Sequence, residues 1–197
     1  MTSPYAGVPV QEWQEITKKL VADHPLDMDE LVAVVVDCWK SIFDSRFGRK
    51  GFQIGKQIFP KPQIMGFLLH ELIPLELAGR YPTEWRGEQS GSDKDIVYIP
   101  ADKFSIEVKT SSNGSQVYGN RSYAQATSNG KKAKSGYYLT VNFEACTKAK
   151  PAPELSQIKF GWLDSSDWIG QKAETGQQSR LPPEVRTSKF ITLYRKT

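Results

Sequence analysis

Histidine and cysteine are scarce in this 197-residue chain, which contains only two residues of each type. The two histidines, His24 and His70, are too few for most histidine-ligated metal nucleases and argue against a Ser-His-Asp hydrolase. We therefore expect both histidines to be structural or surface residues. Cys38 and Cys146 form no CxxC pattern, so we expect reduced thiols and a cytoplasmic protein.

Long apolar segments are missing as well. No apolar run approaches the roughly 18 residues of a membrane-spanning helix, and the N-terminus shows no signal-peptide pattern, so we expect no contact with a membrane. Hydrophobic residues make up 39% of the chain and aromatic residues 11%, which is typical of a globular protein. The net charge of +4 permits binding to DNA but does not demonstrate it.

The clearest chemical pattern lies between Asp93 and Ala126. Asp95 opens one apolar strand, and the next strand carries Glu107 and Lys109. Two carboxylates and one ammonium on adjacent strands can bind Mg²⁺ and stabilise the transition state of a phosphate ester. The structural alternative is a half-exposed strand whose charged side chains face water, because an acid followed by Glu-x-Lys is a loose pattern.

The register of this hairpin follows from the alternation of its side chains. A turn at Pro100–Asp102 that pairs Ile99 with Lys103 sets Asp95 opposite Glu107. One face then carries the apolar residues Ile96, Tyr98, Phe104, Ile106 and Val108. The other face carries Asp95, Val97, Ser105, Glu107 and Lys109. A slip by one residue would expose the apolar set, so we expect this register and prefer Asp95 to Asp93.

The segment between Asp93 and Ala126 resembles the PD-(D/E)xK nuclease superfamily. Asp95, Glu107 and Lys109 match its signature acid, acid and lysine, while Lys94 stands where that pattern usually has proline. The stretches EVKTSSNGSQVYGNRSYAQ, HELIP, FGWLDSSDWIGQ and GQQSRL resemble the ScaI-like type II restriction endonucleases over residues 60–197. The resemblance implies a Mg²⁺-dependent endonuclease that cuts double-stranded DNA at a short palindrome.

The resemblance also implies roles for individual residues. Asp95 and Glu107 would bind Mg²⁺, with the Val108 carbonyl as a further oxygen ligand. Lys109 would orient the attacking water and offset charge on the phosphorus.

Many nucleases of this superfamily carry a helix glutamate before the hairpin that supports the metal site. Glu71 is the candidate here, with Glu76 and Glu88 as competitors. The alternative for Glu71 is an ordinary glutamate on the solvent face of a helix.

The polar stretch after the hairpin has the side-chain types that read DNA. Asn and Gln pair with adenine, Arg with guanine, and Ser or Thr with either base. The expected DNA contacts are Ser111, Ser112, Asn113, Ser115, Gln116, Tyr118, Asn120, Arg121 and Ser122, with Gly114 and Gly119 allowing close approach to the groove. A second group of readers is Gln171, Gln177, Gln178 and Arg180. The alternative is a flexible surface loop.

The remaining patterns predict an α/β fold, a mixed β-sheet flanked by helices with a helical N-terminal region. The expected helices cover residues 10–22, from Asp27 or Asp29 to Gly48, 62–79 and 122–134. In the helix expected at 62–79, Pro74 would kink the helix or end it early. The inward face of this helix would be formed by Ile64, Phe67, Leu68, Leu72 and Leu75. Beyond the hairpin, strands are expected at 136–144, 158–163 and 190–194.

The whole chain, residues 1–197, is expected to be one nuclease domain with its catalytic core at 60–197. An enzyme that cuts a palindrome needs one active site on each strand, which predicts a homodimer. The helical region 1–50 could supply that interface or could equally be core. A cognate DNA methyltransferase is the implied partner.

Readings from other classes stay open. They are a structure-directed or repair nuclease of the same fold, a noncatalytic DNA-binding module and a protein-interaction domain.

Overall fold

The computed structural model describes residues 2–125, 132–172 and 176–197. Its α-helices are α1 (Trp13–Ala22), α2 (Met28–Asp44), α3 (Pro62–Arg80) and α4 (Pro183–Ser188). Its strands are β1 (Trp85–Gly87), β2 (Ile96–Tyr98), β3 (Ile106–Ser111), β4 (Tyr118–Asn120), β5 (Gly136–Phe143), β6 (Leu155–Leu163), β7 (Ile169–Gly170), β8 (Gln178–Arg180) and β9 (Phe190–Arg195). Short 3₁₀ turns cover Val10–Glu12, Asp102–Phe104, Arg121–Ala124 and Ser165–Asp167.

The strands form two sheets. Six strands make the main sheet in the order β1-β2-β3-β5-β6-β9, and β4, β8 and β7 make a small second sheet. In the main sheet β3 and β5 are parallel and the other neighbours are antiparallel. A parallel pair needs a crossover connection, and β4 lies in that connection. The predicted mixed α/β sheet with flanking helices is therefore confirmed.

The main sheet is covered on both faces. Helices α1, α2 and α3 contribute to one hydrophobic core with residues such as Ile106, Val108 and Leu139. The other face has a smaller core, in which Tyr138 of β5 packs with Trp168 near the small sheet and Val185 of α4. All eight residues of β5 are buried, as expected for a strand covered on both sides.

The first two predicted helices are present. The 10–22 helix begins as a 3₁₀ turn and continues as α1. The Oδ1 atom of Asp27 accepts a hydrogen bond of 2.9 Å from the backbone N–H of Glu30 and so caps α2. Helix α2 ends at Asp44, before the expected stop at Gly48. Its apolar face lies in the core of this same chain.

The prediction for the third helix was partly wrong. Pro74 lies inside α3, and the helix continues to Arg80. Of the residues predicted to face inward, Ile64, Phe67 and Leu75 are 52%, 59% and 64% exposed. The inward face is instead Met65, Leu69, Ile73 and Leu77. Apolar residues surround α3 on nearly all sides, so their periodicity does not select one face.

The predicted helix over 122–134 was also wrong where it can be compared. Residues Arg121–Ala124 form a 3₁₀ turn, and residues 132–134 are not helical, while 126–131 lie outside the described residues. The strands expected at 136–144, 158–163 and 190–194 are confirmed as β5, β6 and β9. Sequence reasoning missed α4 and the short strands β1, β4, β7 and β8. In the described part of the chain, every helix is too short or too polar to cross a membrane.

Candidate active site

The hairpin of β2 and β3 has the predicted register. Ile96 pairs with Ile106, which places Asp95 beside Glu107. The connection is wider than a tight turn, because a 3₁₀ turn at Asp102–Phe104 lies within it. Asp95 is fixed to the neighbouring strand, since its Oδ2 atom accepts a hydrogen bond of 2.7 Å from the backbone N–H of Val108.

Asp93, the rejected alternative, is engaged elsewhere. Its carboxylate lies 2.8 Å from Nη1 of Arg86 and accepts a hydrogen bond of 3.0 Å from the backbone N–H of Gln89. The Arg86 hydrogen bond and then the Gln89 hydrogen bond lower the pKa of Asp93 to about 2. Asp93 therefore anchors the loop before β2.

Glu107 is the most enclosed charged group of the site. Its side chain is 3% exposed, compared with 14% for Asp95. The Oε1 atom of Glu107 accepts hydrogen bonds from Lys109 Nζ, at 2.6 Å, and from the Tyr123 hydroxyl. Burial raises the pKa of Glu107. The positive charges of Lys109, Lys132 and Lys94 outweigh the effect of burial and lower the pKa to about 2. Glu107 is therefore ionised at neutral pH.

Lys109 is held in place by its surroundings. Its Nζ atom donates to the Val108 carbonyl at 3.0 Å and lies 4.7 Å from the centre of the Tyr123 ring. Burial, together with the charge of Glu107, raises the pKa of Tyr123 well above its usual value, so its hydroxyl remains a donor. Tyr123 thus contacts both Glu107 and Lys109. Sequence reasoning missed it because it placed residue 123 in a helix.

Lys132 bridges the two carboxylates. Its Nζ atom lies 2.6 Å from Asp95 Oδ1, 3.1 Å from Glu107 Oε2 and 3.6 Å from Glu88 Oε2. Apart from this ion pair, the buried Oε2 atom of Glu107 has no hydrogen-bond partner among the described residues. Burial lowers the pKa of Lys132, but the charges of Glu107 and Asp95 outweigh it and raise the pKa. The bridging group is an ammonium ion at neutral pH.

Lys94 is a third buried cation at the position where the superfamily pattern has proline. Its Nζ atom donates to the Ala133 carbonyl at 2.9 Å and lies 5.2 Å from the centre of the Tyr138 ring. Burial lowers the pKa of Lys94 to about 8, although the charge of Glu107 opposes this shift. The charge of Lys94 interacts with both Glu107 and Asp95.

Helix α3 places His70 close to Asp95. Its Nδ1 atom lies 3.6 Å from Asp95 Oδ2. Burial lowers the pKa of His70, although the charge of Asp95 opposes this shift, so the imidazole is neutral at pH 7. The predicted Glu71 is exposed and lines the cleft beside His70. Its competitor Glu76 forms an ion pair of 2.8 Å with Arg80.

A cleft with a volume of about 890 Å³ opens next to the hairpin. Helix α3 forms one wall, and the polar stretch after β3 forms another. Of the predicted DNA contacts, the structure brings four into this cleft: Ser111, Ser112, Asn113 and Tyr118. Asp95 and Glu71 line the same cleft, so part of the predicted reading surface shares it with these carboxylates.

Other predicted DNA contacts do not line the cleft. Gln116 donates through Nε2 to the Leu181 carbonyl at 3.2 Å. The Nη1 atom of Arg121 donates to the Gly176 carbonyl at 3.1 Å. Ser115, Asn120 and Ser122 are exposed outside the cleft. Gln116 and Arg121 therefore connect the polar stretch to the C-terminal segment in this structure.

The two groups of predicted base readers are joined in the small sheet. Strand β4 pairs antiparallel with β8, so that Tyr118 lies opposite Arg180 and Asn120 opposite Gln178. Gln178 also lines the cleft. Gly119 is buried at this junction, where a Cβ atom would lie 3.0 Å from Ser179 Oγ. The missing side chain of Gly119 therefore lets the two strands pack, and its predicted approach to a DNA groove stays a prediction.

The donor set of the site suits a hard divalent cation. The described residues contain no group of three or more His, Cys, Asp and Glu side chains that could hold a metal ion. However, Asp95 Oδ1 and Glu107 Oε2 already share one cation, the Lys132 ammonium, and the Val108 carbonyl shares Lys109 with Glu107 Oε1. Two carboxylates and a carbonyl, completed by water and phosphate oxygens, fit Mg²⁺.

Comparison with known proteins shows the family of this chain. A family model described as ScaI restriction endonuclease matches residues 3–194. The chain is also 50% identical over 194 residues to the type II restriction enzyme ScaI of Streptomyces caespitosus. The aligned region covers 98% of this chain and 85% of that protein. The resemblance to type II restriction endonucleases is confirmed, and it includes the N-terminal helices. The chain belongs to the ScaI restriction endonuclease family.

Proposed function

We propose that this restriction endonuclease uses Mg²⁺ to hydrolyse phosphodiester bonds of double-stranded DNA at a short palindrome. One observation supports this most directly. A single hairpin brings Asp95 and Glu107 around one shared cation and sets Lys109 on Glu107, beside a cleft lined by polar side chains. A half-exposed strand with solvated charges would not bury Glu107 to 3% exposure.

Type II restriction enzymes generally need a divalent metal ion, and the oxygen donors here favour Mg²⁺. Asp95, Glu107 and the Val108 carbonyl would hold it. When bound, Mg²⁺ lowers the pKa of a coordinated water and neutralises charge that develops on the scissile phosphate.

Lys109 would place its ammonium beside the attacking water and offset negative charge on the phosphate. Its position is preset, because Glu107 and the Val108 carbonyl accept from it and Tyr123 lies under it. Arginine is too large and planar to replace it at this site. Glu71 remains a candidate supporting carboxylate, since it lies on the cleft wall near Asp95.

Base reading is assigned to the residues at the cleft and at the edge of the small sheet. Ser111, Ser112, Asn113 and Tyr118 line the cleft, and Ser115, Asn120 and Ser122 are exposed along the same stretch. Gln116 and Arg121 would hold this surface in shape through their contacts to backbone carbonyls. Amide, hydroxyl and guanidinium groups are the types that read base edges and phosphates.

We also infer a homodimer, because cutting both strands of a palindrome calls for two active sites related by twofold symmetry. The apolar face of α2 is buried in this chain and is not free for such a contact, whereas Ile64, Phe67 and Leu75 of α3 are exposed. Sedimentation equilibrium of the protein with DNA tests this inference. A complex whose mass equals one chain plus the DNA would contradict it. A cytoplasmic location and a cognate DNA methyltransferase complete the proposal.

Incubation of the protein with long, varied DNA and Mg²⁺, with an EDTA control, tests the proposed function. Discrete bands that vanish with EDTA are expected, and sequencing their ends gives the recognition site. A smear of fragments would favour a structure-directed or repair nuclease. If neither Mg²⁺ nor Mn²⁺ produced cleavage of unmodified DNA, a noncatalytic binding module would fit better.

A further inference from the structure

The Lys132 ammonium occupies the space between the two carboxylates of the active site. Its Nζ atom contacts Asp95 Oδ1 at 2.6 Å and Glu107 Oε2 at 3.1 Å. No other cation serves these two oxygens jointly in the described part of the chain, since Lys109 binds the opposite oxygen of Glu107, Oε1. The two atoms that Lys132 bridges belong to the carboxylates that would hold the metal ion.

An ammonium and a metal ion cannot share this position. Mg²⁺ would be held by the same two carboxylates that Lys132 bridges, and it needs their oxygens as ligands at about 2.0–2.1 Å. Two positive charges in contact with the same pair of carboxylates repel each other strongly in a partly buried site. Lys132 must therefore withdraw before both carboxylates can bind metal.

The surroundings of Lys132 allow this movement. Its side chain is 22% exposed, and its third contact, Glu88 Oε2 at 3.6 Å, is an exposed group that lines the cleft. The four-carbon stem of lysine is flexible. Lys132 can thus turn from the carboxylates toward the cleft, where the phosphates of DNA would lie.

We propose that Lys132 is a built-in counter-ion that occupies the metal position in the metal-free enzyme and that a divalent cation displaces. This inference rests on the proposed function of the site. Without DNA, the metal must compete with the ammonium, so metal affinity is low. A phosphate in the cleft offers Lys132 another anionic partner, so DNA and metal favour each other's binding.

The test is the dissociation constant of Mn²⁺, measured without DNA by electron paramagnetic resonance of the free ion. Mn²⁺ shares the preference of Mg²⁺ for carboxylate and water ligands. Lys132→Met should bind Mn²⁺ at least about tenfold more tightly than the unchanged protein, because the contacts of Lys132 to Asp95 and Glu107 no longer have to be broken. Lys134→Met is the matched control, since among the described residues the Lys134 ammonium donates to the backbone carbonyls of Ser122 and Gln125 and to no carboxylate.

Thermal unfolding gives a second measurement. In EDTA, Lys132→Met should unfold at a lower temperature than the unchanged protein, because Asp95 and Glu107 lose their shared cation. Added Mn²⁺ should raise the unfolding temperature of the variant by more than that of the unchanged protein. Lys132→Gln serves the same purpose if the Met variant does not fold.

Two results contradict the proposal in different ways. Equal or weaker Mn²⁺ binding by a folded Lys132 variant, compared with the unchanged protein, would overturn the role of Lys132 alone. Asp95→Asn should weaken Mn²⁺ binding in the Lys132→Met background. If it does not, or if no variant binds Mn²⁺, the metal site of the proposed function fails together with the counter-ion.

Discussion

The two oxygens of Glu107 have different partners. Oε1 accepts from Lys109 and from the Tyr123 hydroxyl, whereas Oε2 faces only the Lys132 ammonium in the described residues. Oε1 thereby fixes the proposed catalytic lysine, and Oε2 stays available to a cation. Tyr123 is central to this division, because its ring also lies under Lys109.

Replacement of Tyr123 separates its two contacts. Tyr123→Phe removes the hydroxyl that donates to Glu107 but keeps the ring under Lys109. We expect the single-turnover cleavage rate to fall about tenfold, the value of one hydrogen bond to a charged group, with DNA binding nearly unchanged. Tyr123→Leu, which removes both contacts, should be slower still. Equal rates for all three proteins would show that Tyr123 does not position Lys109.

His24 makes the stability of the protein depend on pH. Its Nδ1 atom accepts from the Leu26 N–H at 3.2 Å, so Nε2 carries the proton and donates to the Phe104 carbonyl at 3.0 Å. Protonation of Nδ1 would bring its N–H into contact with the N–H of Leu26, and the two donors would repel each other. Burial lowers the pKa of His24 from 6.5 to about 4, although the hydrogen bond to the Phe104 carbonyl opposes the shift.

The unfolded chain protonates His24 more readily than the folded protein does. The stability that neutral His24 contributes is therefore fully present above pH 6.5 and is lost as the pH falls to about 4. The loss should be about 3 kcal/mol. His24→Gln keeps a donor and an acceptor but does not titrate. Urea unfolding at pH 7 and pH 4 should show a smaller pH dependence for this variant. Identical pH dependence in both proteins would contradict the assignment.

The sequence predicts the residues of the hairpin but not their neighbours. Asp95, Glu107 and Lys109 are related by strand alternation and local pairing, which the spacing of apolar residues determines. Tyr123 and Lys132 come from the crossover between β3 and β5, and their meeting with Glu107 depends on how that connection folds. No local periodicity encodes such a contact.

Among the elements, α2 and α3 show when periodicity is informative. In α2 apolar and polar residues are segregated, and the apolar side is the buried one: Leu31, Val34, Val35, Cys38, Trp39 and Ile42. In α3 the apolar residues lie on nearly every side, and the prediction selected Ile64, Phe67 and Leu75, which are exposed. Glu71, the candidate taken from the resemblance, lines the cleft on this helix, and its neighbour His70 lies 3.6 Å from Asp95.

Strand β6 packs closely against the start of β9 at Gly161. A Cβ atom there would lie 2.0 Å from the Lys189 carbonyl oxygen, which is backbone and cannot rotate away. Gly161→Ala should therefore lower the free energy of unfolding by about 3 kcal/mol. Gly79→Ala in α3, where a Cβ would meet nothing within 4 Å, should raise it by about 0.5 kcal/mol. Urea denaturation measures both, and an unchanged Gly161→Ala would refute the close packing.

At the scale of the whole molecule, the candidate active site lies where three parts meet. The hairpin supplies the carboxylates and lysine, α3 supplies one wall of the cleft, and the polar stretch leading into the small sheet supplies another. The family match over residues 3–194 includes the N-terminal helices, which sequence reasoning had placed outside the catalytic core. Their buried faces complete the core on which β3 and α3 rest.

The most direct test of the central claim is the single-turnover cleavage rate of Lys109→Ala with Mg²⁺. We expect the rate to fall by at least about 100-fold, with specific binding to DNA nearly intact, because the ammonium acts on the reacting phosphate. Lys103→Ala is the control, since Lys103 is an exposed lysine of the same hairpin, and it should cleave normally. A Lys109→Ala protein that cleaves DNA at the rate of the unchanged protein would contradict the assignment of the active site.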